Sequence, residues 1–243
     1  MKGNIRTALV TGANKGIGFE VARQLAQKGF RVFIGARDEK AGEAAAAKLR
    51  AEGARTTKDK SDDDIQFLKI DISDPASIKN AAEEFGKRSE RLDALVNNAG
   101  IALDDDKDAL SITPEIFETT LRTNTLGALL VSQALVPFLK KSDAPRIVNV
   151  SSGGGQLADG ADGWSPAYCI SKTALNGVTV QLAAALPKFA VNSVCPGWVR
   201  TDMGGSGAPR SVAEGASGIV WLVAEAPQAE TAKFFKDRKV IPW

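Results

Sequence analysis

Short runs of apolar and β-branched residues alternate with longer helical patterns from one end of the chain to the other. The runs typical of strands are residues 7–10, 32–35, 66–70, 94–97, 147–150 and 191–195. Helical patterns lie near residues 17–28, 39–52, 75–89, 114–140, 166–186 and 211–224. Strands that are apolar throughout must be covered on both faces, and the intervening helices supply that cover. The alternation therefore predicts an α/β fold, a doubly wound parallel sheet with right-handed crossover connections.

The sequence shows no internal boundary and no strong charge bias. Its 243 residues contain no repeat and no segment rich in proline, glycine or serine, so we expect residues 1–243 to form one domain. Lys and Arg number 31 against 29 Asp and Glu, and the net charge of +2 argues against a nucleic-acid or membrane-surface partner. No apolar run reaches membrane-spanning length and no signal-peptide core follows Met1, so we expect a soluble, cytoplasmic protein.

The composition removes several catalytic groups. The chain contains no histidine, which excludes a Ser-His-Asp triad, a Cys-His pair and an imidazole metal ligand. Its two cysteines, Cys169 and Cys195, cannot form a thiolate zinc site, and we expect buried thiols rather than a disulfide. Acid–base chemistry must then come from carboxylates, from lysine or from the single tyrosine, Tyr168.

Two charged segments, residues 58–64 and 104–108, interrupt the alternating pattern. A metal site is conceivable at either, but neither has the glycine turn and spaced oxygen ligands of a calcium loop. We expect both to be solvated loops, and we predict no metal site.

A glycine-rich segment follows the first predicted strand and opens the first predicted helix. It reads Thr11-Gly12-Ala13-Asn14-Lys15-Gly16-Ile17-Gly18. Glycines let the backbone turn sharply and approach a pyrophosphate, and the helix N-terminus offers N–H groups and a positive dipole end. The spacing differs from the usual Gly-x-Gly-x-x-Gly fingerprint, but its place between strand and helix favours a dinucleotide site in a Rossmann-type fold.

The tip of the second predicted strand distinguishes between the two nicotinamide cofactors. An NAD site usually carries Asp or Glu there for the ribose 2′-hydroxyl, whereas this chain has Ala36 followed by Arg37. Lys15 of the glycine-rich segment can face the same pocket. Two cations without a carboxylate at the tip favour a 2′-phosphate and hence NADP(H). The alternative is that Arg37 is a surface charge and Asp38 contacts the ribose.

Tyr168 and Lys172 are four residues apart in a predicted helix, so both project from one face. A phenol has a pKa near 10, which is too high for easy proton transfer at neutral pH. An ammonium about 4 Å away could favour the phenolate by up to ~4 kcal/mol at an effective dielectric constant of 20. The pair therefore suggests a tyrosine whose pKa is lowered towards the working pH.

Other polar residues are predicted at the carboxyl edge of the sheet, where such sheets bind ligands. When these residues are taken together with the glycine-rich segment and the Tyr168–Lys172 pair, the chain resembles the short-chain dehydrogenase/reductase family, in particular its NADPH-dependent carbonyl reductases. The resemblance rests on motifs in the family's order along nearly the whole chain: 11–18, Asp71-Ile72, Asn97-Asn98-Ala99-Gly100, Asn124, Ser152, Tyr168-x-x-x-Lys172 and residues 196–203.

The resemblance implies roles for four catalytic residues. Tyr168 would be the general acid that gives a proton to the carbonyl oxygen, and Ser152 would polarise that oxygen. Lys172 would lower the tyrosine pKa and hold the nicotinamide ribose. Asn124 would position a water that links Lys172 to solvent. Of the two adjacent serines, family spacing selects Ser152 over Ser151.

The resemblance also implies a set of cofactor-binding residues. Lys15 and Arg37 match the family's cations for the 2′-phosphate, Asp71 and Ile72 would hold the adenine, and Val199 and Thr201 would fix the carboxamide. The full predicted set is Gly12, Asn14, Lys15, Gly16, Ile17, Gly18, Arg37, Asp71, Ile72, Asn98, Ala99, Gly100, Tyr168, Lys172, Pro196, Gly197, Val199 and Thr201.

Together these features predict NADPH-dependent reduction of a ketone, aldehyde or quinone to an alcohol, reversible as an alcohol dehydrogenase. Leu157, Trp164, Trp198 and Met203 suggest an apolar pocket, unless they are core packing, and residues 203–209 could be a lid or a plain connection. The main alternative is a non-catalytic NADP(H)-sensing regulator, for which a tyrosine four residues before a lysine is not needed. A sugar-nucleotide epimerase or dehydratase would need a longer C-terminal substrate region.

The two central helical stretches carry unusually little charge. Residues 165–187 contain one charged residue, Lys172, and residues 123–139 contain none. The chain also lacks the long insertion that, in monomeric vertebrate carbonyl reductases, hides the helix used for subunit contacts. We therefore expect a homo-oligomer packed through the helices at 114–140 and 166–186. The alternative is that each helix buries one face and exposes Ser, Thr and Gln on the other.

Overall fold

The computed structural model describes residues 5–53, 64–158, 160–161 and 163–243. Within these ranges one sheet has the strand order β3-β2-β1-β4-β5-β6-β7-β8. Its strands are β1 (Thr7–Thr11), β2 (Arg31–Ala36), β3 (Ile65–Lys69), β4 (Ala94–Asn97), β5 (Arg146–Val150), β6 (Ala190–Cys195), β7 (Lys233–Lys236) and β8 (Lys239–Ile241). Neighbouring strands are parallel from β3 to β7, and only β8 runs antiparallel to its neighbour. The order reverses between β1 and β4, which opens a crevice at their carboxyl ends.

Helices connect the parallel strands. They are α1 (Gly16–Gln27), α2 (Glu39–Ala51), α3 (Pro75–Arg88), α4 (Pro114–Leu121), α5 (Ala128–Leu139), α6 (Pro166–Ala185) and α7 (Val212–Ala224). Local sequence explains several of their starts, because Asp38, Asp74 and Thr113 each accept a bond from a backbone N–H of the first turn. Ser211 and Glu214 form a capping box at α7.

Two apolar clusters cover the two faces of the sheet. Side chains of α1, α2 and α7 pack on one face with Ala8 and Val10 of β1. Those of α3, α5 and α6 pack on the other face with Leu9, the residue between them. Phe33 and Phe85 are fully buried on this second face, with ring centroids 4.8 Å apart. Because both faces are covered, the strands are apolar throughout, as the sequence indicates.

The predicted doubly wound fold is confirmed, and the six predicted strands and the helical stretches lie within about two residues of those observed. The stretch predicted as one helix at 114–140 contains a π-helical segment, Arg122–Gly127, between α4 and α5. The hairpin of β7 and β8 was not predicted. Its turn places Asp237 and Arg238 at φ 52° and 63°, a left-handed conformation that usually calls for Gly or Asn.

No helix in the described ranges combines the length and the apolar character that crossing a membrane requires. Of the charged segment 58–64, residues 58–63 lie outside the described residues.

Candidate active site

A cleft of about 1530 Å³ lies along the carboxyl edge of the sheet, beside the reversal between β1 and β4. This volume exceeds the 300–1,000 Å³ typical of small-molecule pockets, so it has room for a dinucleotide and a substrate together. Of the predicted cofactor-binding residues, those on the cleft wall are Gly12, Asn14, Lys15, Gly16, Ile17, Gly18, Arg37, Asp71, Ile72, Asn98, Ala99, Gly100, Tyr168, Lys172, Pro196 and Thr201.

The glycine-rich segment is held tightly against the end of β4. Gly12 has φ +64°, and a Cβ there would lie 2.8 Å from the Cα of Ala99, so a larger residue does not fit. The Asn98 Nδ2 donates to the carbonyls of Thr11 and Gly12 at 2.9 and 3.2 Å. The Thr11 Oγ1 accepts the N–H of Asn98 at 3.0 Å. Asn98 thus lines the cleft, but its side-chain amide is bonded to the backbone of the glycine-rich segment.

The start of α1 can receive an anion. Among the described residues no side chain caps this helix, whose N-cap is Lys15. Its first N–H groups and positive dipole end face the cleft beside Gly16 and Ile17, which is the arrangement that binds phosphate. The residues present therefore fit the pyrophosphate of a dinucleotide.

Two cations lie on the wall where the 2′-position of the adenine ribose is expected. Arg37 follows β2 directly, and Lys15 Nζ is paired with Asp202 Oδ2 at 2.6 Å across the cleft. That pair is largely exposed, so solvent screens it and Lys15 can exchange partners. Asp38 Oδ1 accepts the Ala41 N–H at 2.7 Å as the cap of α2. One oxygen of the Asp38 carboxylate is thus engaged by α2, although Asp38 also lies on the cleft wall.

Asp71 and Ile72 form the wall beyond β3. Asp71 Oδ1 accepts bonds from the Ser73 Oγ at 2.6 Å and the Ser73 N–H at 2.9 Å. The bond from the Ser73 hydroxyl, helped by the backbone bond and the nearby Arg37 charge, lowers the pKa of Asp71. The carboxyl is therefore an ionised acceptor at neutral pH.

Tyr168 lies on the cleft wall and is 9% exposed. Burial raises the pKa of its phenol to about 12, although the nearby Ser152 hydroxyl acts to lower it. Lys172 is 4% exposed, and burial lowers its pKa to about 8. The expected lowering of the Tyr168 pKa by Lys172 is wrong for this arrangement, because burial has the larger effect and acts on both groups.

Lys172 is nevertheless close to the phenol. Its Nζ lies 5.6 Å from the centroid of the Tyr168 ring and donates to the Val150 carbonyl at 2.9 Å. The neighbouring serine does not compete with Ser152, because Ser151 is buried and its Oγ donates to the Lys172 carbonyl at 3.3 Å. Ser152 is the serine whose hydroxyl acts on the pKa of the phenol, but Ser151 and not Ser152 lies on the cleft wall, so the catalytic role of Ser152 stays a prediction.

Asn124 lies within the π-helical segment and is 1% exposed. Its Oδ1 accepts the Ile101 N–H and its Nδ2 donates to the Ile101 carbonyl, both at 2.8 Å. A Cβ at Gly100 would be 3.1 Å from Asn124 Oδ1 and 3.4 Å from Lys172 Nζ, so the two side chains meet over this glycine. Short π-helical segments are frequent at functional sites, and this one turns an amide towards the cleft residues.

Two predicted cofactor residues do not form the wall. Gly197 has φ +79°, and its missing side chain makes room for Arg210, whose Cδ would be 2.6 Å from a Cβ. Val199 is 4% exposed and packs its methyl groups against Gly215. Gly197 and Val199 are not on the cleft wall, and their predicted contacts with the cofactor stay a prediction.

Asp106 is a residue of the site that the sequence does not predict. Asp106 was expected in a solvated loop, but it is 2% exposed and accepts the N–H groups of Ala167 and Tyr168 at 2.9 and 2.8 Å. Its neighbours at 104, 105, 107 and 108 are exposed, as expected. A run of aspartates gives no signal that separates the buried member from the others. The two cysteines are not joined in a disulfide, as predicted; Cys195 is buried, whereas Cys169 is only partly buried and its Sγ donates to the Trp164 carbonyl at 3.2 Å.

The apolar residues suggested for the substrate pocket divide into two groups. Trp164 and Met203 lie on the cleft wall, and the Trp164 ring centroid is 5.7 Å from that of Tyr168. Leu157 and Trp198 are 68% and 61% exposed, and neither belongs to that wall. The glycine-rich stretch 203–209 is tied back by the Trp198 Nε1, which donates to the Gly204 carbonyl at 2.8 Å.

Comparisons with known proteins agree with this geometry. A family model for short chain dehydrogenase matches residues 6–211. The chain is 37% identical to (+)-neomenthol dehydrogenase of Arabidopsis thaliana, with 97% of each chain covered. It is 34% identical to the NADPH carbonyl reductase 1 of Mus musculus, covering 97% of this chain and 98% of that one.

A solved structure repeats the likeness in three dimensions. The NADPH-bound carbonyl reductase from chicken fatty liver superposes with a TM-score of 0.85 at 31% identity, covering 99% of this chain and 100% of that chain. With the family model matched over most of the sequence and relatives above 30% identity along nearly its whole length, this chain belongs to the short-chain dehydrogenase/reductase family.

Proposed function

We propose that the protein reduces the carbonyl of a ketone, aldehyde or quinone to the alcohol with NADPH, and runs in reverse as an alcohol dehydrogenase. The observation that carries the proposal is the buried Tyr168, with Lys172 Nζ 5.6 Å from its ring centroid, on the wall of a cleft that begins at the glycine-rich segment. A proton donor and a dinucleotide site in one cleft are what carbonyl reduction requires. The names of the relatives, which include NADPH reductases and a dehydrogenase, support the same reaction class.

The cofactor is NADP(H). Lys15 and Arg37 supply two positive charges at the place of the 2′-phosphate, while Asp38 is engaged in capping α2. Bound in this cleft, NADPH supplies the hydride that reaches the carbonyl carbon. The first turn of α1 and the backbone around Gly12 would hold its pyrophosphate.

Tyr168 gives the proton. Because burial raises its pKa to about 12, the phenol is fully protonated at neutral pH and is ready to act as an acid. An alkoxide is a stronger base than a phenolate, so transfer from the phenol to the reduced carbonyl oxygen is downhill. Ser152 donates a hydrogen bond to the same oxygen and stabilises the charge that develops there.

Lys172 and Asn124 complete the proton supply. The Lys172 ammonium lies below the Tyr168 ring and stabilises the phenolate left after transfer. With a pKa lowered to about 8 by burial, it also gives up a proton more easily than an exposed lysine does. Asn124 Oδ1 and Lys172 Nζ meet over Gly100, where a water could pass protons from solvent.

The substrate is a bulky, apolar carbonyl compound. Trp164 stands beside the phenol and Met203 borders the same cleft, so both offer apolar surface near the proposed proton donor. Burial of apolar substrate surface is favourable by roughly 25 cal/mol per Å². Arg200, which also lines the cleft, donates to the Ala208 and Pro209 carbonyls and is occupied by its own loop.

The test is a panel of apolar and charged ketones, aldehydes and quinones, assayed with NADPH and with NADH. We expect turnover of bulky apolar members with NADPH. Ser152→Ala should lower kcat about a hundredfold, by loss of one donor to the oxygen. Ser151→Ala is the matched control on the cleft wall and should retain kcat within about threefold, because the bond of its hydroxyl is to the backbone carbonyl of Lys172.

The panel also distinguishes the rival function. Tight NADPH binding without turnover of any carbonyl would contradict the proposal and favour an NADP(H)-sensing regulator. Equal losses in the two serine variants would contradict the role given to Ser152.

A further inference from the structure

The buried carboxylate of Asp106 joins the loop after β4 to the first turn of α6. Oδ1 accepts the N–H of Ala167 at 2.9 Å and Oδ2 accepts that of Tyr168 at 2.8 Å. These residues are the second and third of the helix, whose amides have no partner within it. One carboxylate therefore satisfies both amides, and its charge interacts favourably with the positive end of the helix dipole.

The local sequence does not supply this cap. Ser165, which precedes the helix, has a left-handed φ of 40° and its side chain makes no capping bond among the described residues. Pro166 has no N–H to donate. A left-handed backbone at a serine is strained and persists only where surrounding contacts hold it. Asp106, 61 residues before Ala167, provides such a contact from another part of the chain.

The same loop is fixed at its other end by Asn124. That side chain bonds both the N–H and the carbonyl of Ile101. Residues 101–104, 106 and 107 lie on the cleft wall, so the loop faces the space left for substrate. It is thus bonded at one end to a candidate site residue and at the other to the backbone of Tyr168.

We propose that Asp106 is a positioning residue for the reaction, which holds the start of α6 so that the Tyr168 phenol keeps its place on the cleft wall beside the loop 101–107. The inference rests on the proposed function, and it gives Asp106, which lines the cleft, no part in the proton transfer. The Asp106 carboxylate bonds to backbone amides and thereby affects the position of the Tyr168 phenol.

The experiment compares Asp106→Asn and Asp106→Ala with Asp105→Asn as the matched control. Asp105 is the exposed neighbour in the same acidic run. In Asp106→Asn the side chain keeps its size, but an NH₂ group replaces one accepting oxygen and opposes an N–H. We expect kcat to fall about tenfold to a hundredfold in both Asp106 variants, the usual effect of a misplaced catalytic group. Asp105→Asn should keep the wild-type kcat.

Three further readouts separate positioning from loss of fold. The NADPH dissociation constant should change less than about twofold, because the two bonds of the Asp106 carboxylate go to the start of α6 and not to the glycine-rich segment. The stoichiometry of NADPH binding should stay at its wild-type value. The isotope effect on kcat with deuterated NADPH should rise, because a badly placed proton donor slows the chemical step.

Each result decides the question. Unchanged kcat in either Asp106 variant, or an equal loss in Asp105→Asn, overturns the proposal. A fall in kcat matched by an equal fall in binding stoichiometry also overturns it, since less folded protein would then explain the loss.

The single tyrosine gives a readout that needs no turnover. Release of the helix start should expose the phenol and move the pKa of Tyr168 from about 12 towards 10. If the wild-type protein reduces no carbonyl, the proposed function fails, and this titration alone decides whether Asp106 holds Tyr168 in place. An unchanged pKa in both Asp106 variants would then overturn it.

Discussion

Raising the pH should ionise Tyr168 much later than an exposed tyrosine. Burial raises the pKa of its phenol to about 12 in the folded chain, against about 10 in the unfolded chain. Between these values the unfolded protein loses the proton while the folded protein keeps it. The contribution to stability is therefore complete below pH 10 and is lost as the pH rises through 12.

The size of the effect follows from the shift. Two pKa units correspond to roughly 2.7 kcal/mol of unfolding free energy, lost across this window. Lys172 acts in a different window, because its pKa is lowered by burial from 10.5 to about 8. Its contribution is present above pH 10.5 and is lost as the pH falls through 8. The contributions of Tyr168 and Lys172 to the unfolding free energy are therefore lost in different pH ranges.

The assay is the ultraviolet absorbance of tyrosinate, which reports one residue because the chain contains a single tyrosine. Circular dichroism at each pH shows that the protein is still folded, and the same titration in denaturant gives the unfolded reference. Tyr168→Phe should remove the alkaline loss of stability. A midpoint at or below 10 in the folded protein would refute the reasoning, because Lys172 would then outweigh burial.

Three further predictions concern the loop, the cofactor and assembly. Gly12→Ala should lower the unfolding free energy, measured in urea, by about 2–4 kcal/mol, because left-handed strain adds to the clash with Ala99. Gly16→Ala should lower it by only about 1–2 kcal/mol, because a Cβ there lies 3.5 Å from the nearest atom. Equal losses in the two variants would contradict the clash. Arg37→Asp should lower the NADPH-to-NADH ratio of kcat/KM at least about tenfold, and an unchanged ratio would remove Arg37 from the 2′-phosphate site. Sedimentation of the wild-type protein at micromolar concentration should give a species heavier than 25.6 kDa, and Val180→Glu, on the exposed face of α6, should dissociate it. A monomeric wild-type protein would contradict assembly.

The layered fold could be predicted from the sequence because both faces of the sheet are covered. Leu9 packs on one face and its neighbours Ala8 and Val10 on the other, so each strand is a continuous apolar run and easily recognised. The site could be predicted where local motifs define it. The glycine-rich segment and the Tyr168–Lys172 spacing are each set within a few consecutive residues.

The remainder depends on contacts that no local pattern records. The π-helical segment around Asn124 lies between two helical patterns and contains no proline, so its sequence does not distinguish it from an α-helix. Asp106 is indistinguishable in the sequence from its exposed neighbours, and its partner amides are 61 and 62 residues away. The pKa of Tyr168 likewise depends on burial by the whole fold, which spacing to Lys172 does not reveal.

The most direct test of the account is the proton donor itself. Tyr168→Phe removes one hydroxyl from a buried ring and leaves the glycine-rich segment untouched, so NADPH should bind within about twofold of the wild-type dissociation constant. Loss of general-acid catalysis should lower kcat for carbonyl reduction by at least about a hundredfold. If the variant binds NADPH normally and keeps more than about a tenth of the wild-type kcat, Tyr168 is not the proton donor and the central claim is wrong.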